Sequence, residues 1–172
     1  MEVIIGDETG STQDSRSLIK EHSLNNEFFI KGFFGDYRYM SNFHISPVDY
    51  EGLRYNNVEA AFQSAKVSRP ADRERFTRMS PAEAKMEGRK ALLPADWQDR
   101  KVGVMTECVF SKYMLSNGIR SQLTDTGEKY LEETNWWKDN YWGNDPNITS
   151  PGLNKLGKVT MGVRELFKII EV

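Results

Sequence analysis

At Asn57 the hydrophobic pattern of this chain becomes helical, which points to a mostly helical domain with a small β part at the front. Ahead of it, Phe28-Phe29-Ile30 is a β-prone run closed by Gly32, and residues 33–43 are aromatic-rich and irregular. Residues 47–55 read as two short extended pieces around the turn signal Glu51-Gly52, a hairpin. Beyond Asn57 helical patterns dominate. A short helix is predicted over 58–67. Ser80-Pro81-Ala82-Glu83 combines an N-cap serine, a proline at the first helical position and a capping-box glutamate, and opens a helix ending near Gly88. Asp96 is placed to cap a long helix over 98–115. A short helix over 119–123, a strand over 130–133, an Asn-, Pro- and Gly-rich loop over 136–150 and a last helix over 154–170 follow. In that helix Leu156, Val159, Val163, Leu166 and Ile170 fall near one face. The expected fold is α+β: a mostly helical single domain with a small N-terminal antiparallel β region.

The 172 residues suit one domain, read as 27–172 behind an extension over 1–26 with a short strand at 1–5 and a loop at 6–17. No apolar run approaches the roughly 20 residues that cross a bilayer, and residues 1–26 lack the order of a signal peptide. A cytoplasmic protein without membrane contact is expected. The single cysteine, Cys108, excludes an intrachain disulfide and reads as a small core residue. The two histidines, His22 and His44, are far apart, which speaks against a zinc site; no metal or other cofactor is expected. With a net charge of −2 and no block of Lys or Arg, broad nucleic-acid binding gains little support. A local basic pocket for a small anion remains open.

Two segments carry chemistry-bearing side chains. In Val58-Glu-Ala-Ala-Phe-Gln-Ser-Ala-Lys66, Glu59, Gln63 and Lys66 fall within about 60° on a helical wheel, beside the apolar Val58, Ala61, Phe62 and Ala65. The stripe is either a solvated face with a Glu–Lys pair or one wall of a site. In Asn135-Trp-Trp-Lys-Asp-Asn-Tyr-Trp-Gly143, three tryptophans and a tyrosine surround Asp139 on a loop. They are either core plugs or a platform for a flat ligand. Ser41-Asn42-Phe43 and Gly152-Leu-Asn-Lys-Leu-Gly157 are polar pieces whose default reading is a turn.

Taken in order, these pieces resemble the NADAR (YbiA-like) family, from about Phe28 to Phe167. The family's Ser-Asn-Phe turn is Ser41-Asn42-Phe43, and its Glu-His-Ala-Tyr-Gln-x-x-Lys helix is Glu59 through Gln63 to Lys66. Trp97 precedes the long helix with Val104-Met105 and Lys112-Tyr113, and Leu123-Thr-Asp-Thr126-Gly127 comes next. Asp139-Asn-Tyr-Trp142-Gly143 and Gly152-Leu-Asn154-Lys-Leu-Gly157, with Met161 and Arg164, close the pattern. Two departures stand out: Ala60 replaces the family histidine, and Trp142-Gly143-Asn144-Asp145 replaces Trp-Gly-x-Gly, with a longer insertion to Pro151.

The resemblance implies hydrolysis of an N-glycosidic bond at a ribose C1′. Its substrates would be a ribosylamino-pyrimidine phosphate of riboflavin synthesis or ADP-ribosylated guanine, free or within nucleic acid. The alternative is a non-catalytic module that binds ADP-ribose or a nucleotide. The implied catalytic residues are Glu59, Asp139 and Lys66, the two carboxylates dividing proton transfer and charge stabilisation between them in an order the sequence leaves open. Lys66 either pairs with phosphate or attacks the opened sugar as an amine. Ser41, Asn42, Phe43, Gln63, Trp97, Trp142, Gly143 and Asn154 are the implied substrate-binding residues, and at least one of Trp136 and Trp137 is expected to plug the core. A monomer or weak dimer is expected.

Overall fold

The computed structural model describes residues 25–170. The strand read at 1–5 and the loop read at 6–17 lie outside them. Strand β1 (Phe29–Lys31) is followed by a 3-10 turn (Gly35–Met40) and the hairpin β2 (Val48–Tyr50) and β3 (Leu53–Tyr55). Glu51 and Gly52 take positive φ, 44° and 79°, the geometry of a tight hairpin turn that Gly-containing pairs accommodate. Helices α1 (Val58–Ser64), α2 (Pro70–Arg73), α3 (Pro81–Gly88), α4 (Trp97–Met114) and α5 (Asn117–Thr124) come next. With a second 3-10 turn (Glu74–Arg78) after α2, strand β4 (Tyr130–Glu132) and helix α6 (Lys155–Ile170) complete the described order. The front hairpin is antiparallel as expected, but β1 pairs in parallel with the distant β4, Ile30 opposite Leu131.

Local chemistry explains most boundaries. Ser80 Oγ accepts from the Glu83 N–H at 3.3 Å while the Glu83 carboxylate accepts from the Ser80 N–H at 2.8 Å, the capping box that the sequence spells. Asp96 sits at the N-cap of α4 but makes no capping bond; its carboxylate lies 3.8 Å from Arg100 instead, so that expectation is corrected. The start of α6 is capped by backbone. Leu156 N–H donates to Trp142 O at 2.9 Å and Lys155 N–H to Tyr141 O at 3.2 Å, which consumes donors that a helix start leaves orphaned.

The core gathers around α1, whose seven residues are all buried. It packs against α3, α4 and the hairpin. Helix α4 contributes Val104, Met105, Cys108, Val109 and Tyr113, and α6 contributes Leu156, Val163 and Phe167. Cys108 is a free, fully buried thiol, as expected, and burial pushes its pKa up. Among the described residues no helix is long and apolar enough to cross a membrane.

Candidate active site

Helix α1 is anchored where it begins. Asn57 Oδ1 accepts from the Ala60 N–H at 2.8 Å. Asn42 O accepts from the Glu59 N–H at 3.2 Å, so the Ser41-Asn42-Phe43 turn seats directly on the first helical turn. Ser41 Oγ accepts from the Phe43 N–H at 3.1 Å, and Ser41 O accepts from Lys112 Nζ at 2.9 Å. Glu59 and Gln63 are only 7% and 5% exposed, which excludes the solvated-face reading of their stripe. Gln63 Nε2 donates to Glu59 Oε1 at 2.8 Å. Burial pushes the Glu59 carboxyl above its ordinary range; the Gln63 amide, Lys85 and Lys66 oppose the rise, and Asp139 adds to it. Lys66 is half-buried, its ammonium 5.6 Å from the Phe62 ring centre and 5.8 Å from that of Trp97. Burial lowers its pKa, Glu59 works against that, and Arg89 and Lys85 reinforce it. Ala60 is fully buried in the apolar core.

Phe62 of the same helix is the centre of an aromatic wall. Trp97 opens α4 with its ring centroid 5.3 Å from Phe62, Trp142 meets Phe62 edge-on at 5.4 Å, and Tyr141 meets Trp142 edge-on at 5.1 Å. The two earlier tryptophans differ from expectation. Trp136 is 38% exposed and rests on Phe34, Trp137 is 61% exposed, and neither plugs the core. The fully buried Asn135 anchors the loop instead. Its Oδ1 accepts from the Trp137 and Asp139 N–H groups at 3.3 and 3.1 Å, and its Nδ2 donates to Asp139 O at 2.7 Å. An amide that satisfies three backbone groups removes the need for an apolar plug. Asp139 Oδ1 accepts from the Tyr141 and Trp142 N–H groups at 3.1 and 2.9 Å, so one carboxylate oxygen is committed to the turn that presents Trp142.

Gly143 lies against Glu133: a Cβ at this position would overlap the Glu133 carbonyl, so only glycine lets the loop approach so closely. Asn154 holds the same strand end. Its Oδ1 accepts from the Glu133 N–H at 3.0 Å, and its Nδ2 donates to Leu131 O at 2.9 Å and to the Tyr130 hydroxyl at 3.1 Å. Each polar atom of the Asn154 side chain is thus engaged within the fold.

Three further residues belong to this region. Lys112 is 1% exposed, and burial lowers its ammonium to about 7 against the pull of Glu133. Glu133 Oε2 is enclosed and has no hydrogen-bond partner among the described residues. Burial pushes the Glu133 carboxyl up to about 8, Asp139 adds to the rise, and Lys85 and Lys112 oppose it. Lys85, from α3, has its ammonium 5.5 Å from the Phe43 ring centre and acts on both glutamates. The sequence offers Lys112 only as half of a family pair and Glu133 only as a strand end. The alternation of Glu132 and Glu133 along an extended segment is the one local signal that they face opposite ways.

The structure therefore brings Glu59, Gln63, Lys66, Trp97, Asp139 and Trp142 into one neighbourhood. The Ser41-Asn42-Phe43 turn borders it through Lys112 and Lys85, while Gly143 and Asn154 brace Glu133 through its backbone. Two carboxyl groups raised by burial and a half-buried amine beside indole rings can exchange protons, stabilise a cation and stack a flat ring.

The chain is similar to known proteins. The NADAR domain matches residues 28–168. The N-glycosidase Npun_R5314 of Nostoc punctiforme is 33% identical over 135 residues, covering 75% of this chain and 85% of that protein. The N-glycosidase YbiA of Escherichia coli K12 is 31% identical over 138 residues, covering 78% and 84%. The riboflavin biosynthesis protein VVA0006 of Vibrio vulnificus is 27% identical over 130 residues, 35% of its length. The NMR structure of the E. coli protein YbiA superposes with a TM-score of 0.75 at 28% identity, covering 86% of this chain and 89% of that one. From its motifs, its fold and these likenesses, the chain belongs to the NADAR domain family.

Proposed function

We propose that this protein is an N-glycosidase, a hydrolase that cleaves the bond between a ribose C1′ and a nitrogen of a base or amine. The observation that carries the reading is Glu59. Its carboxyl is buried on the family helix, bonded to Gln63, and set in the combined field of Lys66 and Lys85 close to the Phe62–Trp97–Trp142 wall. Cleavage of a C1′–N bond leaves positive charge on the sugar. The Glu59 carboxylate, its anion favoured by Gln63, Lys85 and Lys66, stabilises that cation and accepts a proton from the attacking water. The indoles stack the base. Lys66 serves the anionic end of the substrate by pairing with phosphate; nucleophilic attack on an opened sugar is its other chemical option. Asp139 acts through the loop, its second oxygen left for the sugar hydroxyls.

The substrates this reading favours are a ribosylamino-pyrimidine phosphate and ADP-ribosylated guanine, since both join a flat base, a ribose C1′–N bond and a phosphate. It is supported by relatives named N-glycosidase and by one named for riboflavin biosynthesis. A pure binding module gains little from burying Glu59 and Lys66, because desolvating such charges costs more than their pairing returns. The test offers both substrates in ¹⁸O-water and follows products by mass spectrometry. The expected result is release of the free base from at least one, with the label at C1′. Base release from neither would overturn the proposal.

A further inference from the structure

We propose that Glu133 is a second catalytic carboxyl group of this site, the one that gives its proton to the departing nitrogen. The inference rests on the N-glycosidase reading and adds to it a residue outside the recognised motifs.

Four observations support it. First, the Glu133 backbone is locked on both sides: its N–H donates to Asn154 Oδ1 at 3.0 Å, and its carbonyl accepts from the Asn144 N–H at 2.9 Å. The side chain therefore leaves the backbone just past β4 in a defined direction. Second, Oε2 is enclosed without a partner among the described residues. Buried polar atoms are nearly always satisfied, and an orphan of this kind costs stability unless something else, such as a ligand, completes it. Third, the charges that act on Glu133 are those of the site. Asp139 and Lys85 influence both Glu133 and Glu59, and Lys112, which donates to Ser41 O, also acts electrostatically on Glu133. Fourth, the two glutamates differ in what favours their anions. Glu59 accepts an amide hydrogen bond from Gln63 and faces Lys85 and Lys66, with Asp139 the weakest influence on it. For Glu133, Asp139 is the strongest influence after burial itself. The surroundings of Glu59 thus favour its anion, whereas the charge ranked first around Glu133 favours its protonated form.

The step balances without a further reagent. As the C1′–N bond breaks, its electron pair goes to nitrogen, which takes the Glu133 proton. Water oxygen bonds to C1′ and its surplus proton goes to the Glu59 carboxylate. The products are ribose bearing a hydroxyl at C1′ and the free base, and exchange with solvent restores both carboxyl groups.

A leaving group that needs no proton separates acid catalysis from a structural role. Wild type, Glu133→Gln and Glu59→Gln are assayed on the N-riboside that wild type cleaves and on p-nitrophenyl riboside 5-phosphate, which departs as a stable phenolate. Glu133→Gln should lose roughly 10²-fold on the N-riboside and stay within about threefold of wild type on the aryl riboside, whereas Glu59→Gln loses on both. Glu133→Ala should show the same split, a loss on the N-riboside with the aryl riboside spared. Equal losses on the two leaving groups, or no loss on the N-riboside, in a folded variant would overturn the assignment. Failure of both Glu133 variants to melt cooperatively would assign Glu133 to the fold and overturn it too. An inactive wild type would instead sink the N-glycosidase reading itself.

Discussion

Helix α1 and the loop over 135–145 both carry signature residues of the site, yet they are held by opposite means. Helix α1 is immobilised by apolar burial: Val58, Ala61 and Phe62 sit in the core, and the polar Glu59 and Gln63 are carried inward with them. The loop is immobilised by amide and carboxylate oxygens. Asn135 and Asp139 bond its own backbone, and Asp145, 1% exposed, accepts from the Lys138 N–H at 2.9 Å and the Asn147 N–H at 2.8 Å. Two of its three tryptophans are left exposed. Aromatic content is thus a poor guide to what anchors a loop, while the asparagines and aspartates that look like mere turn formers do the anchoring.

The comparison is broken or sharpened by substitutions in each region. Phe62→Ala removes the ring on which both Trp97 and Trp142 rest, and should cost roughly 3–5 kcal/mol of stability; a denaturant melt measures it. Asn135→Ala leaves buried backbone groups unpaired and should cost on the order of 3 kcal/mol. If it melts like wild type, the loop is not held as described. Glu59→Gln should leave the melting temperature unchanged or higher, since it removes a buried ionisable group, while steady-state turnover falls roughly 10²-fold. Trp137→Ala should change stability by no more than about 0.5 kcal/mol, the range of exposed positions. A loss comparable to that of Phe62→Ala would restore the plug reading.

Glu133 adds a pH test. Its carboxyl rises from the ordinary 4.5 to about 8 in the fold. The folded state therefore holds a proton that the unfolded chain releases above 4.5, so this stabilisation is complete below that pH and is lost as pH climbs towards 8. Lys112, lowered to about 7, acts in the opposite direction only from there upward. Between pH 4.5 and 7 the melting temperature of wild type should fall relative to that of Glu133→Gln. Parallel curves would contradict the buried, protonated carboxyl.

Much of this was legible in the chain because it is local. The period of apolar residues placed α1, α4 and α6, Ser80 with Glu83 started α3, and Glu51-Gly52 turned the hairpin, each within a few residues of its cause. The resemblance supplied Glu59, Lys66 and Asp139 as implied site residues in the same way, one motif at a time. What the chain does not spell is which side chains from separate elements meet. Lys85 comes from α3, Lys112 from α4 and Glu133 from the residue after β4. Their common environment exists only because β4 pairs with β1, far away in sequence, and because α1 packs against both α3 and α4. Tertiary packing also decides protonation. Whether a glutamate is an ordinary surface charge or a proton donor depends on the water excluded and the charges gathered around it, and neither is written in the residues beside it.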